Sequence, residues 1–487
     1  MDHPRTLGEL KQSGYRPRSV KDELRANLSA RLRADEPVFP GVVGYGSTVI
    51  PQVVNAILSG HDFILLGLRG QAKTRILRTL SLLLDEAVPM VADSPLREDP
   101  LAPLTGTTRA RIEAEGDDLP IAWLTREERY HEKLATPDVT IADLIGDVDP
   151  IKAASKRLSL DDPEVIHFGL LPRSNRGILA INELPDLQAR IQVGLLNILE
   201  EGDIQIRGFP LRLPLDLSLT FSANPEDYTN RGNIITPLRD RIASQILTHY
   251  PRSVDESMRI TDQEAWTERS SIDVTVPDYL RLAVEEVAFR ARESELVDQN
   301  SGVSARMTIS LLENVHSNAE RRALVAGADH AVARVSDLAA ALPAITGKIE
   351  LVYEGEREGP RNVALGLVGK AVHSVFEGRL ADALRPATEG GEDSEVQPIL
   401  GWFGGQRTVD LSDDLPDDEL YEKLAAIPSL ELVAGKYLDP DGEAETSAAM
   451  EFVLEGLHQG SLLSKENLVG GRVYRDTFEE MVRSFNS

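Results

Sequence analysis

Three short stretches, Phe63-Ile64-Leu65-Leu66, Ile178-Leu179-Ala180-Ile181 and Leu217-Ser218-Leu219-Thr220-Phe221, are the chain's clearest strand signals. Each is dominated by apolar residues and ends on polar or turn-forming ones, and the second has the unbroken apolar character of a strand buried on both faces of a parallel sheet. Helical spacing appears at Val53, Val54, Ile57 and Leu58, ending at Gly60. It recurs at Ile76, Leu77, Leu80, Leu83 and Leu84, and again over Leu187–Leu199 through Ile191, Leu195, Leu196 and Leu199. Alternation about Gly208-Phe209-Pro210 predicts a hairpin over Asp203–Leu213, and Asp161-Asp162-Pro163 predicts a second over Arg157–Phe168. A new element begins at Thr140. Upstream of it, back to the helix after Leu66, the proline-bearing chain has few periodic apolar positions and reads as a long surface excursion. Residues 1–38 read as a charged leader with one helix, Val20–Leu32, and no chemistry. Beyond Pro251, helices are expected at Val276–Arg292, Met307–Glu320 and around Ala328–Leu342, with a loop or small hairpin over Gly347–Gly359. Further helices are expected at Phe452–Leu457 and Tyr474–Phe485.

Composition narrows the classes. A chain of 487 residues is too long for one compact core and implies about two to four domains. The absence of cysteine excludes disulfides, thiolate metal sites and cysteine nucleophiles, and fits a reducing compartment. The opening Met1-Asp2-His3-Pro4-Arg5 leads into polar sequence and no apolar run approaches about 18 residues, so a cytoplasmic protein with no membrane segment is expected. A formal charge of −27 disfavours duplex nucleic acid as a partner, since phosphate binding relies on lysine and arginine. The acidity is uneven. From Phe376 onward 24 Asp and Glu stand against 9 Lys and Arg, a net charge of −15. The acid cluster Asp413–Glu419 within that region reads as a solvated face.

Four places carry candidate chemistry. Gly67-Leu68-Arg69-Gly70-Gln71-Ala72-Lys73-Thr74 joins a strand, a glycine-containing loop, a lysine and a hydroxyl in an order that serves phosphate binding. The loop N–H groups would face β- and γ-phosphates, Lys73 would supply positive charge, Thr74 would place its hydroxyl on Mg²⁺, and the next helix would aim its N-terminal dipole at the phosphates. Ala72 stands where the strict pattern has glycine, and taken alone the string could be an accidental loop. Asn182-Glu183 ends the second strand. There Glu183 could polarise an attacking water, whereas Asn182 could accept a hydrogen bond from a metal-bound water without contributing charge; a core strand with a polar end is the plain alternative. Asn224 ends the third strand, either as a water-orienting amide or as ordinary turn chemistry. Arg239 and Arg241 close a short loop and could reach a phosphate across a subunit boundary or belong to a surface ion-pair cluster. No Gly-x-Ser-x-Gly elbow or His-Glu-x-x-His motif competes.

In this order, Gly67–Thr74, Ile178–Glu183, Ala223-Asn224-Pro225, Leu238–Arg241 and Ser304-Ala305-Arg306 resemble the AAA+ ATPase module. The spacing, the two hairpins and Phe168–Gly177 are similar to the magnesium-chelatase I-subunit and MoxR branch. The resemblance covers about residues 38–335. It implies an α/β P-loop NTPase (AAA+) core with a parallel sheet over 39–250 and an α-helical lid over 251–376; beyond it the residues themselves read as a small acidic, mainly helical C-terminal region over 377–487. It implies ATP and Mg²⁺ as ligands. Gly67, Arg69, Gly70, Gln71, Ala72, Lys73, Thr74, Arg75 and Arg306 would bind nucleotide, with Arg306 as sensor 2, and Thr74 and Asn182 would serve the metal. Glu183, Asn224 (sensor 1) and Arg241 would be catalytic, with Arg239 as the other candidate for the arginine finger. A homo-oligomeric ring, usually a hexamer, is implied, with a client or adaptor protein of the von Willebrand A-domain kind. Asp410-Leu411-Ser412-Asp413 resembles only a fragment of that domain's metal motif, and the 78 residues from there onward are too few for the domain itself. The implied function is an ATP-hydrolysing motor that remodels or activates a partner. A nucleotide-binding scaffold with little turnover and the motor subunit of a metal chelatase are the alternatives.

Overall fold

The computed structural model describes residues 3–149, 151, 165–206, 212–224, 233–269, 272–385, 394–468 and 470–477. The chain divides into two compact units, one up to His249 and one from Tyr250 onward.

The first unit is built on a five-stranded sheet: β1 (Phe63–Leu66), β2 (Tyr130–Leu134), β3 (Gly177–Asn182), β4 (Leu217–Ala223) and β5 (Ser244–Leu247). The order is β5-β1-β4-β3-β2, with every neighbouring pair parallel. β3 and β4 are buried along their whole length, which is why their sequences read as apolar strands. On one face Phe63, Leu65, Ile178, Ala180 and Ile246 join a cluster with the helices Val20–Arg33, Val49–Leu58 and Lys73–Thr79. On the other, Ile64, Leu179, Ile181, Leu219 and Phe221 pack with Leu184, Ile191, Leu195 and Ile198.

Several expectations change here. The stretch before residue 140 is not a surface excursion. Ala87–Val91 pairs antiparallel with Ile121–Thr125, Gly106–Glu115 is a helix, and Tyr130–Leu134 is the edge strand β2. An edge strand leaves its side chains partly in solvent, so Tyr-His-Glu-Lys-Leu carries no apolar run. The leader is structural: Val20, Leu24 and Leu28 lie in the core, and Glu23 is buried in a bidentate ion pair with Arg129 at 2.6 and 2.7 Å. The helix after the loop ends at Thr79 and tightens into a 3₁₀ turn, Leu80–Leu83, that keeps the same leucines buried. Leu187–Leu199 contains two helices, Ala189–Gly194 and Leu196–Glu200, either side of Leu195. Asp203–Gln205 and Arg212–Pro214 form the predicted hairpin, with its Gly208–Pro210 turn outside the described residues. Ile166–Phe168 pairs with Gly146–Val148, and the Asp161–Pro163 turn lies outside the described residues.

The second unit is mostly helical. Asp278–Glu293, Arg306–Ala326, Pro360–Leu380 and the buried Gly442–Gln459 share one apolar cluster that runs from Ile272 to Tyr474. Helix Pro360–Leu380 crosses position 376 without a break, and the cluster takes residues from both sides of it, so the segment expected as a lid and the acidic region share a core. His330–Val332 is a strand paired with Asp273–Thr275, not part of a helix, and Tyr353–Glu358 is helical where a loop was expected. Tyr474 lies in a strand, Gly471–Arg475, of a three-stranded antiparallel sheet with Val409–Ser412 and Ser464–Leu468; residues 478–485 of the expected helix lie outside the described residues. The acid cluster is more than a solvated face: Asp413, Asp414 and Asp417 pair with Arg472, Arg321 and Arg334. Burial alone would raise the Glu455 carboxyl, but Lys465 at 2.6 Å and Tyr474 hold it at about 2. Among the described residues no helix is long and apolar enough to cross a membrane.

Candidate functional site

Parallel pairing brings the C-terminal ends of β1, β3 and β4 to one edge of the sheet, where α/β sheets hold ligands. The register places Leu66 opposite Ala223 and Phe221 opposite Ile181, so Gly67, Asn224 and Glu183 emerge side by side. The Gly67 N–H continues the ladder to the Ala223 carbonyl at 3.2 Å.

The loop is braced from below. Thr248, just past β5, donates its hydroxyl to Gln71 Oε1 at 2.7 Å, and Tyr45 donates to the Gln71 carbonyl at 2.9 Å or the His249 carbonyl at 2.7 Å. A Cβ on Gly67 would lie 1.9 Å from Thr248 Oγ1 and 2.2 Å from Gln71 Oε1, so a side chain there would displace the Thr248–Gln71 brace. Gly70 (φ 73°) and Ala72 (φ 55°) are left-handed, which explains why the strict pattern has glycine at the second position. Lys73 is buried, and its ammonium donates to the carbonyls of Gly67 and of Leu68, the latter at 3.0 Å. Thr74 is half-buried in the first turn of the helix, Arg69 is exposed, and Arg75 donates to the Gly41 carbonyl at 2.9 Å.

Asn182 and Asn224 are buried, and Glu183 sits at φ 54°, a strained position just past β3. The Asn182 amide is held on both sides: Ser222 Oγ donates to its oxygen at 2.9 Å, and its nitrogen donates to Glu132 Oε1 at 2.7 Å. Glu132 in turn accepts from Arg78 Nε at 2.7 Å and Nη2 at 3.1 Å. These hydrogen bonds raise the Arg78 guanidinium above its ordinary value. Ser222, Thr248, Tyr45, Arg78 and Glu132 had no signal in linear motifs.

Arg239 and Arg241 lie in the last turn of a short helix, Thr236–Arg241, rather than in a loop. Arg241 is engaged with Glu200 at 2.6 Å and with the Pro237 carbonyl at 3.0 Å. Arg239 is exposed, with no ion-pair partner among the described residues. Arg306 begins helix Arg306–Ala326 in the second unit and is exposed.

A glycine-containing loop from β1 to a helix, with carboxylate and amide groups at the ends of the two strands beyond, is the arrangement of a P-loop α/β core. No family model matches the chain. It is 26% identical over 263 residues to the magnesium-chelatase 38 kDa subunit of Cereibacter sphaeroides, covering 52% of this chain and 70% of that one. It is 27% identical over 247 residues to the subunit of the same name from Rhodobacter capsulatus, covering 48% and 63%. A solved complex between subunits BchI and BchD of magnesium chelatase matches 66% of this chain and 98% of that one at 20% identity, with a TM-score of 0.34 that is too low to carry an assignment. The sequence likeness, with the sheet and loop, supports an AAA+ ATPase of the magnesium-chelatase I-subunit and MoxR-like kind.

Proposed function

We propose that the protein binds and hydrolyses ATP in a homo-oligomeric ring, and uses the cycle to remodel or activate a partner protein. The observation that supports this most is that adjacent parallel strands bring Glu183, Asn224 and the loop from Gly67, which leads into the helix beginning at Lys73, to one sheet edge. The donor set suits a magnesium nucleotide. Lys73 is a buried cation at the start of the loop's helix, and Thr74 follows it there. Mg²⁺, when bound, would neutralise charge on the phosphates. Lys73 would leave its two carbonyls for the phosphate oxygens, Glu183 would orient and polarise the attacking water, and Asn224 would hold that water by its amide. Of the two finger candidates, Arg239 is the less encumbered for reaching a neighbouring subunit, because Arg241 is tied to Glu200.

A scaffold with little turnover is the second reading, favoured by the Asn182 side chain being occupied on both sides. The names of the relatives support a third, the motor of a metal chelatase. Steady-state hydrolysis with Mg²⁺ tests the main reading: turnover is expected, falling at least about 100-fold in Lys73→Ala and in Glu183→Gln. Nucleotide binding without turnover, alone or with partner present, would favour the scaffold. Neither binding nor turnover would overturn the P-loop assignment of function.

A further inference from the structure

Asn182 occupies the place where a carboxylate would be expected to serve Mg²⁺, yet the structure puts a carboxylate one strand away. We propose that Glu132, on β2, supplies the negative charge of the metal site and accepts a hydrogen bond from metal-bound water, with Asn182 as the amide that orients it. This rests on the nucleotide-binding reading above.

Three observations carry it. The first is pairing chemistry. Asn182 Nδ2 donates to Glu132 Oε1 at 2.7 Å, while its oxygen is turned to Ser222. A carboxylate at 182 would have no proton to give and would face a second carboxylate at about 3 Å, a separation at which the two cannot both stay ionised. An amide at 182 is therefore the residue that lets Glu132 keep its charge. The second is placement. The register sets Leu134 opposite Asn182 and Glu132 opposite Ala180, so Glu132, Asn182 and Ser222 share the sheet face covered by the loop's helix. On that helix Arg78, which binds Glu132, lies four residues after Thr74, one turn or about 6 Å along the axis and on the same side. The third is availability. The Glu132 side chain is 23% exposed, whereas Arg78, its outer partner, is 65% exposed. The guanidinium is the solvent-facing partner, so water can take over its hydrogen bonds when Glu132 turns to another ligand.

Equilibrium binding of a fluorescent ATP analogue to the full chain, titrated with Mg²⁺ and repeated in EDTA, separates the possibilities. In Glu132→Gln the Mg²⁺ concentration for half-maximal tightening should rise about 10–100-fold, with metal-free binding unchanged. Returning the charge to the strand end in Glu132→Gln/Asn182→Asp should recover most of that loss. Arg78→Gln, which keeps the carboxylate and removes its clamp, should leave the Mg²⁺ requirement unchanged or lower. An unchanged requirement in Glu132→Gln overturns the proposal, as does an equal loss in Arg78→Gln, which would mark Glu132 as a structural clamp only. Nucleotide binding that ignores Mg²⁺ in the wild type overturns this proposal alone. No nucleotide binding under either condition overturns the nucleotide reading along with it.

Discussion

At Ala72 the backbone holds an alanine at φ 55°, immediately before Lys73. A left-handed L-residue costs about 1–2 kcal/mol, part of which glycine would give back through the extra freedom of its unfolded chain. Ala72→Gly is therefore expected to raise stability by about 0.5–1 kcal/mol, read as the shift of the denaturant midpoint at constant slope. The departure from the strict motif is thus a matter of backbone strain, since the loop keeps its shape, its braces from Thr248 and Tyr45, and its lysine. Asn182 is explained differently, by its neighbour Glu132, and no inspection of residue 182 alone could have shown that.

Among the elements, the helix Val20–Arg33 departs most from its sequence reading. Its alternating charges suggested a solvated leader, but one of those charges, Glu23, is buried against Arg129 and also accepts from the Asp85 N–H at 2.6 Å. Arg129 in turn donates to the Arg176 carbonyl at 2.8 Å, just before β3, so the helix is bonded to the root of the strand that carries Asn182. Removing one partner of a buried pair leaves the other uncompensated. Glu23→Ala is expected to cost about 3–5 kcal/mol, measured by chemical denaturation of the first unit's transition. The same reasoning makes the leader part of the folded core rather than an appendage. β2 was missed for the complementary reason: as an edge strand it is only half covered, so its sequence keeps polar residues and shows no apolar run.

Across the whole molecule, the two units carry separate apolar cores, and acid should affect the first through His131. Burial first, and then the nearby Arg97 and Arg173 cations, lower its imidazole to about 4, and Arg97 lies 2.7 Å from Nε2. Between about pH 6.5 and 4 the unfolded chain binds a proton there that the folded chain does not. The stabilisation is complete above the unfolded value of about 6.5 and is lost as the pH falls toward 4. Calorimetry of the intact chain should show the first unit's transition falling over that window, and His131→Asn should flatten the dependence. The sequence alone was enough for the loop Gly67–Thr74, for β1, β3 and β4, and for the polar residues at their ends. These features are contiguous, and a strand buried on both faces must be apolar along its length. Tertiary structure decided the rest: that β2 lies beside β3, that Glu132 therefore meets Asn182, that a charged leader helix closes the core, and that the segment expected as a lid and the acidic tail share one interior. Each of those depends on contacts between residues far apart in the chain, where local pattern carries no information about which surfaces will meet.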